Sequence, residues 1–377
     1  MRFLHTGDLH LDSAFSSSAA KDAQRQRDAG RDLLKRIFLC AREKKCQLIL
    51  ISGDLFDSKF VSPESDELFC SLVEESGITV VVSPGNHDPY VEGGFYQKAV
   101  ARLGDRLLVF SSPELQYIDI DYLETRVFGY AFTSLALTSS PLSGAELPED
   151  NGYIKLFCGH GDIASPISRY APVTLEELDR FDFAYSALGH IHNLRGIAEL
   201  DGRVRYCGFG EGRSFDELGE GGVWIVDVSR DECSCERKII SSKAFYMLDV
   251  ELKADDSIET AVENIKAVAA TVSAETEKHL RIRLCGVADD GMLKDIYSRT
   301  EEMRENCGLA ELEFIDETMP LLDGGYLERD TTLRGELYRT LLPKLGSADA
   351  SERRTAIRAL RIGIAAIEGR SIFTTSD

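Results

Sequence analysis

The stretch Ile78-Thr79-Val80-Val81-Val82-Ser83-Pro84-Gly85-Asn86-His87-Asp88 decides how the whole chain is read. A β-branched run without polar alternation is the pattern of a strand buried on both faces, as in the centre of an α/β sheet. In such sheets, sites gather beyond the C-terminal ends of the strands. Here that edge carries an amide, an imidazole and a carboxylate in succession, on a backbone that Pro84 and Gly85 bend. Alone, the turn could equally be a surface Asx turn, so its neighbours decide.

Upstream, Arg2-Phe3-Leu4-His5-Thr6-Gly7 predicts a strand running into Asp8-Leu9-His10. Gln47-Leu48-Ile49-Leu50-Ile51 predicts another, running into Ser52-Gly53-Asp54-Leu55-Phe56-Asp57. The spacing of Leu33, Leu34, Ile37, Phe38 and Ala41 predicts a helix over about 21–45, and Ser62-Pro63-Glu64 opens a second over about 62–75. The order is therefore β-α-β-α-β, with every strand ending in a carboxylate or an imidazole.

Downstream, a helix near 94–103 and strands near 107–110 and 126–130 lead to a Ser-, Pro- and Gly-rich loop over 134–150, expected over the site or on its rim. Ile154–Cys158 is a strand ending in Gly159-His160-Gly161-Asp162, and Phe183–Leu188 one ending in Gly189-His190-Ile191-His192. Strands at 222–228 and 236–241 close a first domain, 1–242. A small α+β cap, 243–320, follows, with strands at 246–252, 279–284 and 309–315 and helices at 258–272 and 292–304. The segment 321–377 reads as two helices, 327–342 and 352–368. In the last, Ile357, Leu360, Ile364 and Ile367 form one face and Arg354, Arg358 and Arg361 the other.

The 377 residues, 43% hydrophobic, suit two or three folded domains. No apolar run approaches the ~18 residues of a membrane span, and Met1-Arg2-Phe3-Leu4-His5 lacks a signal-peptide pattern, so a cytoplasmic location without membrane contact is expected. Nine scattered cysteines, with Cys233-Ser234-Cys235 as the close pair, read as reduced thiols. The net charge of −21 argues against polyanionic partners. Screening within about 8 to 10 Å nevertheless lets a local patch outvote the total. Basic residues cluster from Lys21 to Lys45 and again at Arg353, Arg354, Arg358, Arg361 and Arg370; solvated helix faces are the plain reading of both clusters.

Of seven histidines, His10, His87, His160, His190 and His192 sit in strand-end motifs. With Asp8, Asp54 and Asn86 they make a mixed nitrogen and oxygen donor set without thiolate, which suits Mn²⁺, Fe²⁺ or Zn²⁺ in an open catalytic site. The donors are too many for one ion. Two ions about 3.5 to 4 Å apart, sharing a carboxylate, would use them and favour a phosphate ester as substrate.

In order, Asp8-x-His10, Gly53-Asp54, Gly85-Asn86-His87-Asp88, Gly159-His160 and Gly189-His190-x-His192 resemble the five motifs of the calcineurin-like metallophosphoesterases, over about residues 1–240. Thr6-Gly7-Asp8-Leu9-His10-Leu11 and Gly53-Asp54-Leu55-Phe56-Asp57 resemble the DNA-repair exonuclease branch, the nuclease subunit of the SbcCD type. Gly212-Arg213-x-Phe215-x-Glu217-x-Gly219 and Arg329-Asp330-Thr331-Thr332-Leu333-Arg334-Gly335 are similar to a YhaO-like subgroup.

The resemblance implies an α/β fold, a two-sheet sandwich flanked by helices, with the cap and C-terminal helices appended. It implies that Asp8, His10, Asp54 and His192 hold one metal and that shared Asp54, Asn86, His160 and His190 hold the other. Mn²⁺ is the ion it favours, with Fe²⁺, Zn²⁺ or Mg²⁺ as substitutes. His87 then protonates the leaving oxygen or donates to the phosphate. Asp57 stands where archaeal and eukaryotic relatives carry histidine and phosphatases keep aspartate; it is expected to orient His87 and favour its protonated form. Tyr206-Cys207-Gly208-Phe209-Gly210 replaces the usual Gly-Ser-Pro and leaves substrate selection open.

The activity implied is that of a Mn-dependent DNA exonuclease, with single-strand endonuclease activity allowed. Its expected partners are DNA, an SMC-like ATPase of the SbcC type contacted through C-terminal segments, and a second copy in a homodimer. The alternatives are a small-molecule or protein phosphatase on the same core and an inactive scaffold for the ATPase. Asp88 has no role in this reading.

Overall fold

The computed structural model describes residues 1–14, 20–146, 148–163, 165–194, 202–273 and 275–369. Arg370 and the side chain of Lys21, both in the predicted basic clusters, lie outside them. The chain divides into two compact units, Met1–Ser242 and Lys243–Asp377.

The first unit alternates strand and helix through β1 (Arg2–Thr6), α1 (Ala20–Glu43), β2 (Leu48–Ile51), α2 (Pro63–Ser76), β3 (Thr79–Val82), α3 (Phe95–Leu103) and β4 (Leu107–Val109). β1, β2, β3 and β4 are parallel neighbours in that order. A second sheet follows from β5 (Gln116–Ile120), β6 (Thr125–Gly129), β7 (Ile154–His160), α4 (Leu175–Phe181), β8 (Tyr185–Gly189) and β9 (Val204–Tyr206). Its order is β5-β6-β7-β8-β9, all parallel except the β5–β6 pair. β10 (Gly219–Val228) returns to the first sheet antiparallel to β1. β11 (Cys233–Leu252) lends residues to both units.

Alternate residues of the central strands face two different cores. Phe3, Leu48, Leu50 and Val81 pack with Val127, Leu156, Cys158 and Ala187 of the second sheet. Leu4, Ile49, Ile51, Val80 and Val82 pack with Leu33, Ile37 and Phe38 of α1 and Phe69 and Val73 of α2. A third cluster, around Phe128, Phe157, Phe181 and Leu188, covers the far face of the second sheet. The first unit is thus two sheets face to face with helices outside, the α/β sandwich expected. Burial on both faces explains why its strands read as unbroken apolar runs. The 134–150 loop is largely irregular, and its Leu142 is buried in the third cluster.

Several elements differ from the sequence reading. β5, α4, β9 and the short strand Met319–Pro320 have no counterpart in the sequence reading. The strands expected at 236–241 and 246–252 are one continuous β11. The helix expected over 292–304 is two, α6 and α7, and the one expected over 327–342 is also two, α8 and α9.

The second unit contains α5 (Ile258–Ala270), β12 (Glu277–Ala288), α6 (Asp290–Ser298), α7 (Thr300–Asn306), β13 (Glu311–Asp316) and β14 (Met319–Pro320). Its last helices are α8 (Gly324–Arg329), α9 (Leu333–Leu345) and α10 (Ala350–Ile367). Residues of β11 from Lys243 pair parallel with β12, and β12 pairs parallel with β13. Leu280, Ile282 and Leu284 of β12 turn to a core with Ile265 of α5 and Ile296 of α6. Of the expected apolar face of α10, Leu360 and Ile364 are buried, Ile357 is half-buried and Ile367 is exposed at the helix end. Arg361 is not on an open face: it donates to Asp290 at 2.8 Å and to the Thr318 carbonyl at 3.0 Å, with its side chain 12% exposed.

Candidate metal centre

The five motif loops leave the C-terminal ends of β1, β2, β3, β7 and β8, and parallel pairing brings those ends side by side. Asp8, His10 and Asp54 occupy the left-handed region, with φ of 50°, 46° and 48°. Aspartate and histidine tolerate that region better than branched residues do, and such backbone concentrates at functional turns. At Gly85 a Cβ would collide with the carboxylate and backbone nitrogen of Asp54, so glycine is what lets the β3 turn close on the β2 loop.

Three groups of carboxylate and imidazole atoms lie close enough to share an ion: Asp8–His10–His192, His10–Asp54–His87 and Asp8–Asp54–His160. Asp54 Oδ2 lies 3.7 Å from His10 Nε2 and 3.4 Å from His160 Nε2. It therefore faces both sides of the centre, as a bridging carboxylate must.

The hydrogen bonds fix which ring nitrogens are open. His10 Nδ1 lies 3.0 Å from Asp57 Oδ1, and His192 Nδ1 2.7 Å from Glu217 Oε1. Carboxylates accept, so both Nδ1 atoms carry the hydrogen, and both Nε2 lone pairs then face each other at 3.1 Å. Likewise His160 Nδ1 donates to the Ser52 carbonyl at 3.0 Å, leaving its Nε2 facing Asn86 Oδ1 at 3.0 Å. Two pairs of facing acceptors, one on each side of Asp54, are repulsive unless a proton or a metal cation sits with each. The donor set fits a binuclear centre on that ground.

His190 is anchored through its backbone. Its backbone N–H donates to both oxygens of Asp8, at 3.1 and 2.9 Å, while its ring packs on His160 and Tyr170. Its ring belongs to none of the three groups of atoms. Asp8 is further held by the Cys207 thiol at 3.1 Å, a contact hidden in the stretch that replaced Gly-Ser-Pro.

Asp57 Oδ1 is 3.0 Å from His87 Nδ1 and equally 3.0 Å from His10 Nδ1. One oxygen thus serves two rings, where orientation of His87 alone was expected. His87 is 46% exposed at its side chain, whereas His10 and His160 are buried.

Asp88 gains a role. Its carboxylate accepts from the backbone N–H of Asp54 (3.1 Å), Phe56 (3.2 Å) and Gly85 (2.8 Å), and from the Tyr96 hydroxyl (2.5 Å). It staples the loop after β2 to the turn after β3. Nothing in the sequence pattern points to this, since three of its four donors lie outside its own motif.

The charges are sorted by environment. Burial drives Asp54 above the usual carboxylate range, with Asp8 adding to the effect. Burial would also raise Asp8, but His192, His160 and His10 outweigh it and hold Asp8 below that range. Burial, then the charge of Asp54, lifts Asp88 to about 6. The bond to Asp57 raises His87 above the ordinary histidine value, while burial lowers His160.

A family model for calcineurin-like phosphoesterases matches residues 1–194. The chain belongs to that family. This phosphoesterase is similar to the uncharacterized metallophosphoesterase YhaO of Bacillus subtilis (strain 168), 26% identical over 248 residues, 63% of this chain and 59% of YhaO. It is also similar to the DNA double-strand break repair protein Mre11 of Haloferax volcanii, 26% identical over 279 residues, 70% of this chain and 58% of Mre11. The phosphoesterase therefore spans less than two thirds of the length of these curated relatives. Among solved structures, TT1561 of Thermus thermophilus is 11% identical with a TM-score of 0.38, covering 63% of this chain and 98% of that one. A dimetal phosphatase from Danio rerio is 12% identical with a TM-score of 0.38, covering 62% and 98%. Among the described residues, no helix is long and apolar enough to cross a membrane.

Proposed function

We propose that this metallophosphoesterase is a phosphodiesterase acting on DNA, with two divalent ions, Mn²⁺ foremost, held by Asp8, His10, Asp54, Asn86, His160, His190 and His192. The observation that carries the metal reading is the two pairs of facing acceptors on either side of Asp54. The substrate class rests on the motif resemblance and on the likeness to a relative named for double-strand break repair.

When bound, two such ions neutralise phosphate charge and lower the pKa of water from ~15.7 towards ~7. The chain's own residues supply position and protons. His87, on the open side of the centre, gives its Nδ1 hydrogen to Asp57 and presents the other ring nitrogen to the leaving oxygen. General acid catalysis of this kind contributes roughly 10²- to 10⁴-fold.

A phosphomonoesterase is the second reading, favoured by the Asp57–His87 pair, the pairing that phosphatases of the family keep. An inactive scaffold fits less well, because clustered carboxylates without a cation repel one another. The test is one comparison. With Mn²⁺, the purified protein is expected to cleave linear duplex DNA, and His87→Ala to lose cleavage while retaining metal. Hydrolysis of a phosphomonoester with no cleavage of single- or double-stranded DNA would establish the second reading instead.

For an SMC-like ATPase or a second copy of the chain as partner, the support is the family resemblance. Arg361 of the last helix, placed by the sequence reading on a solvated face, is engaged inside its own unit.

A further inference from the structure

His192 is gripped from behind by residues that none of the five motif loops supplies. Glu217, 4% exposed, accepts from His192 Nδ1 at 2.7 Å. The same carboxylate accepts from the Arg213 backbone N–H at 2.8 Å, from its Nη2 at 2.6 Å and from its Nε at 3.1 Å. The segment folds back on itself to allow this: the Glu217 N–H donates to the Ser214 carbonyl at 3.1 Å, and Phe215 is buried beside it. Two residues later β10 begins, the antiparallel neighbour of the strand that ends in Asp8 and His10. The grip is therefore built beside the strand whose loop carries Asp8 and His10, while the ring it holds, His192, follows β8 of the second sheet.

Stability does not explain the arrangement. A buried ion pair roughly breaks even against apolar residues of the same volume, because desolvating both charges cancels much of their attraction. What a carboxylate on Nδ1 does accomplish is to fix the tautomer and the ring plane of an imidazole whose Nε2 is a ligand. The other inward rings have the same device from other sources, His10 from Asp57 and His160 from the Ser52 carbonyl. Glu217 is the one that itself needs a cation, Arg213, to stay charged away from water.

We propose that Glu217, clamped by Arg213, is a positioning residue that fixes His192 and thereby sets the cation affinity of the Asp8–His10–His192 subsite without setting that of the subsite at His160 and Asn86. The inference rests on the binuclear reading above and assigns a task to the Gly212-Arg213-x-Phe215-x-Glu217 stretch, which the five motifs do not use.

The test is calorimetric titration of the metal-stripped full chain with Mn²⁺ alone. Wild type is expected to show two binding events. Replacing both partners, Glu217→Met with Arg213→Met, removes the acceptor without leaving a buried charge unpaired. It should weaken one event by about 10- to 100-fold, the range for loss of a partner behind a ligand, and leave the other unchanged. Glu217→Gln retains an oxygen acceptor but not its charge, and should lose less at the same event. Circular dichroism identifies the folded variants; if the double variant does not fold, Glu217→Gln decides. Two unchanged events in the folded variant overturn the proposal, as does equal weakening of both, which would mark a merely structural pair. A wild type that takes up no Mn²⁺ overturns the binuclear reading itself, and this proposal with it.

Discussion

Each unit contains parallel strands joined by crossing helices, yet the two use their sheets in opposite ways. In the first unit β1, β2 and β3 are buried on both faces and, with few exceptions such as His5, apolar there, so chemistry collects at the strand ends, with Asp8, His10, Asp54, Asn86 and His87. In the second unit β12 alternates: Leu280, Ile282 and Leu284 turn to the helices, while His279, Arg281 and Arg283 reach carboxylates on neighbouring strands. Among the described residues, every group of side chains close enough to share an ion lies in the first unit. A sheet buried on both faces has one place left for chemistry, and a one-faced sheet spreads its charges thinly over the other face.

The most direct way to break this comparison is at Asp54. Its Oδ2 faces both halves of the centre, so Asp54→Asn should disable both. A fall of about 10³-fold or more in phosphoester hydrolysis is expected, together with loss of both Mn²⁺ binding events. Retention of either event would mean the two halves do not share this carboxylate.

His5 tests the sheet's interior rather than its edge. It is fully buried between the two sheets, bonded to the Tyr185 hydroxyl at 2.9 Å and Ser52 Oγ at 3.0 Å. Burial, then the charge of Arg237, pushes it down from 6.5 to about 3. Between those values the unfolded chain binds a proton that the folded chain refuses. Its contribution is therefore complete above pH 6.5 and is lost as pH falls towards 3. The slope is about 1.4 kcal/mol per pH unit for one proton. Urea unfolding from pH 7 to pH 4 should show a steeper decline for wild type than for His5→Gln. Parallel curves would mean His5 is not held neutral.

The contrast between the faces also explains what the sequence revealed and what it hid. β1, β2 and β3 were legible because two-faced burial writes an apolar run, and the motif loops were legible because each is local. β5, Gln116–Ile120, has partly exposed positions, and its Arg126–Asp119 pairing with β6 gives no apolar signal. β11 reads as two strands because Ser242-Lys243 interrupts the pattern between 236–241 and 246–252, yet a backbone ladder runs on regardless of side-chain charge. The same locality limits the site. Glu217 on His192, Asp88 under Asp54 and Asp57 on His10 join residues 25, 34 and 47 positions apart. Spacing within a motif carries no trace of them.

A smaller effect sharpens the comparison of strand interiors. Val81 is fully buried against the second sheet, so Val81→Thr keeps the shape and places a hydroxyl where apolar side chains surround it. A loss of roughly 1–3 kcal/mol is expected from the unfolding midpoint. A variant as stable as wild type would show that the space between the sheets admits a partner for the hydroxyl, and that two-faced burial is less strict than the apolar run implies.

The smallest effect belongs to the second unit's open face. Arg283 pairs with Asp249 of the adjacent strand at 2.6 and 2.8 Å, with side chains 32% and 54% exposed. A cross-strand pair so close to water is worth about 0.2–1 kcal/mol, because the solvent screens the charges and holding two long side chains costs entropy. Arg283→Met should lower stability by no more than that, and by still less in 1 M salt, where the Debye length shrinks to about 3 Å. A loss as large as that of Val81→Thr, persisting in salt, would mean that this face is sealed from water in solution and that the second unit's sheet, like the first's, is buried on both sides.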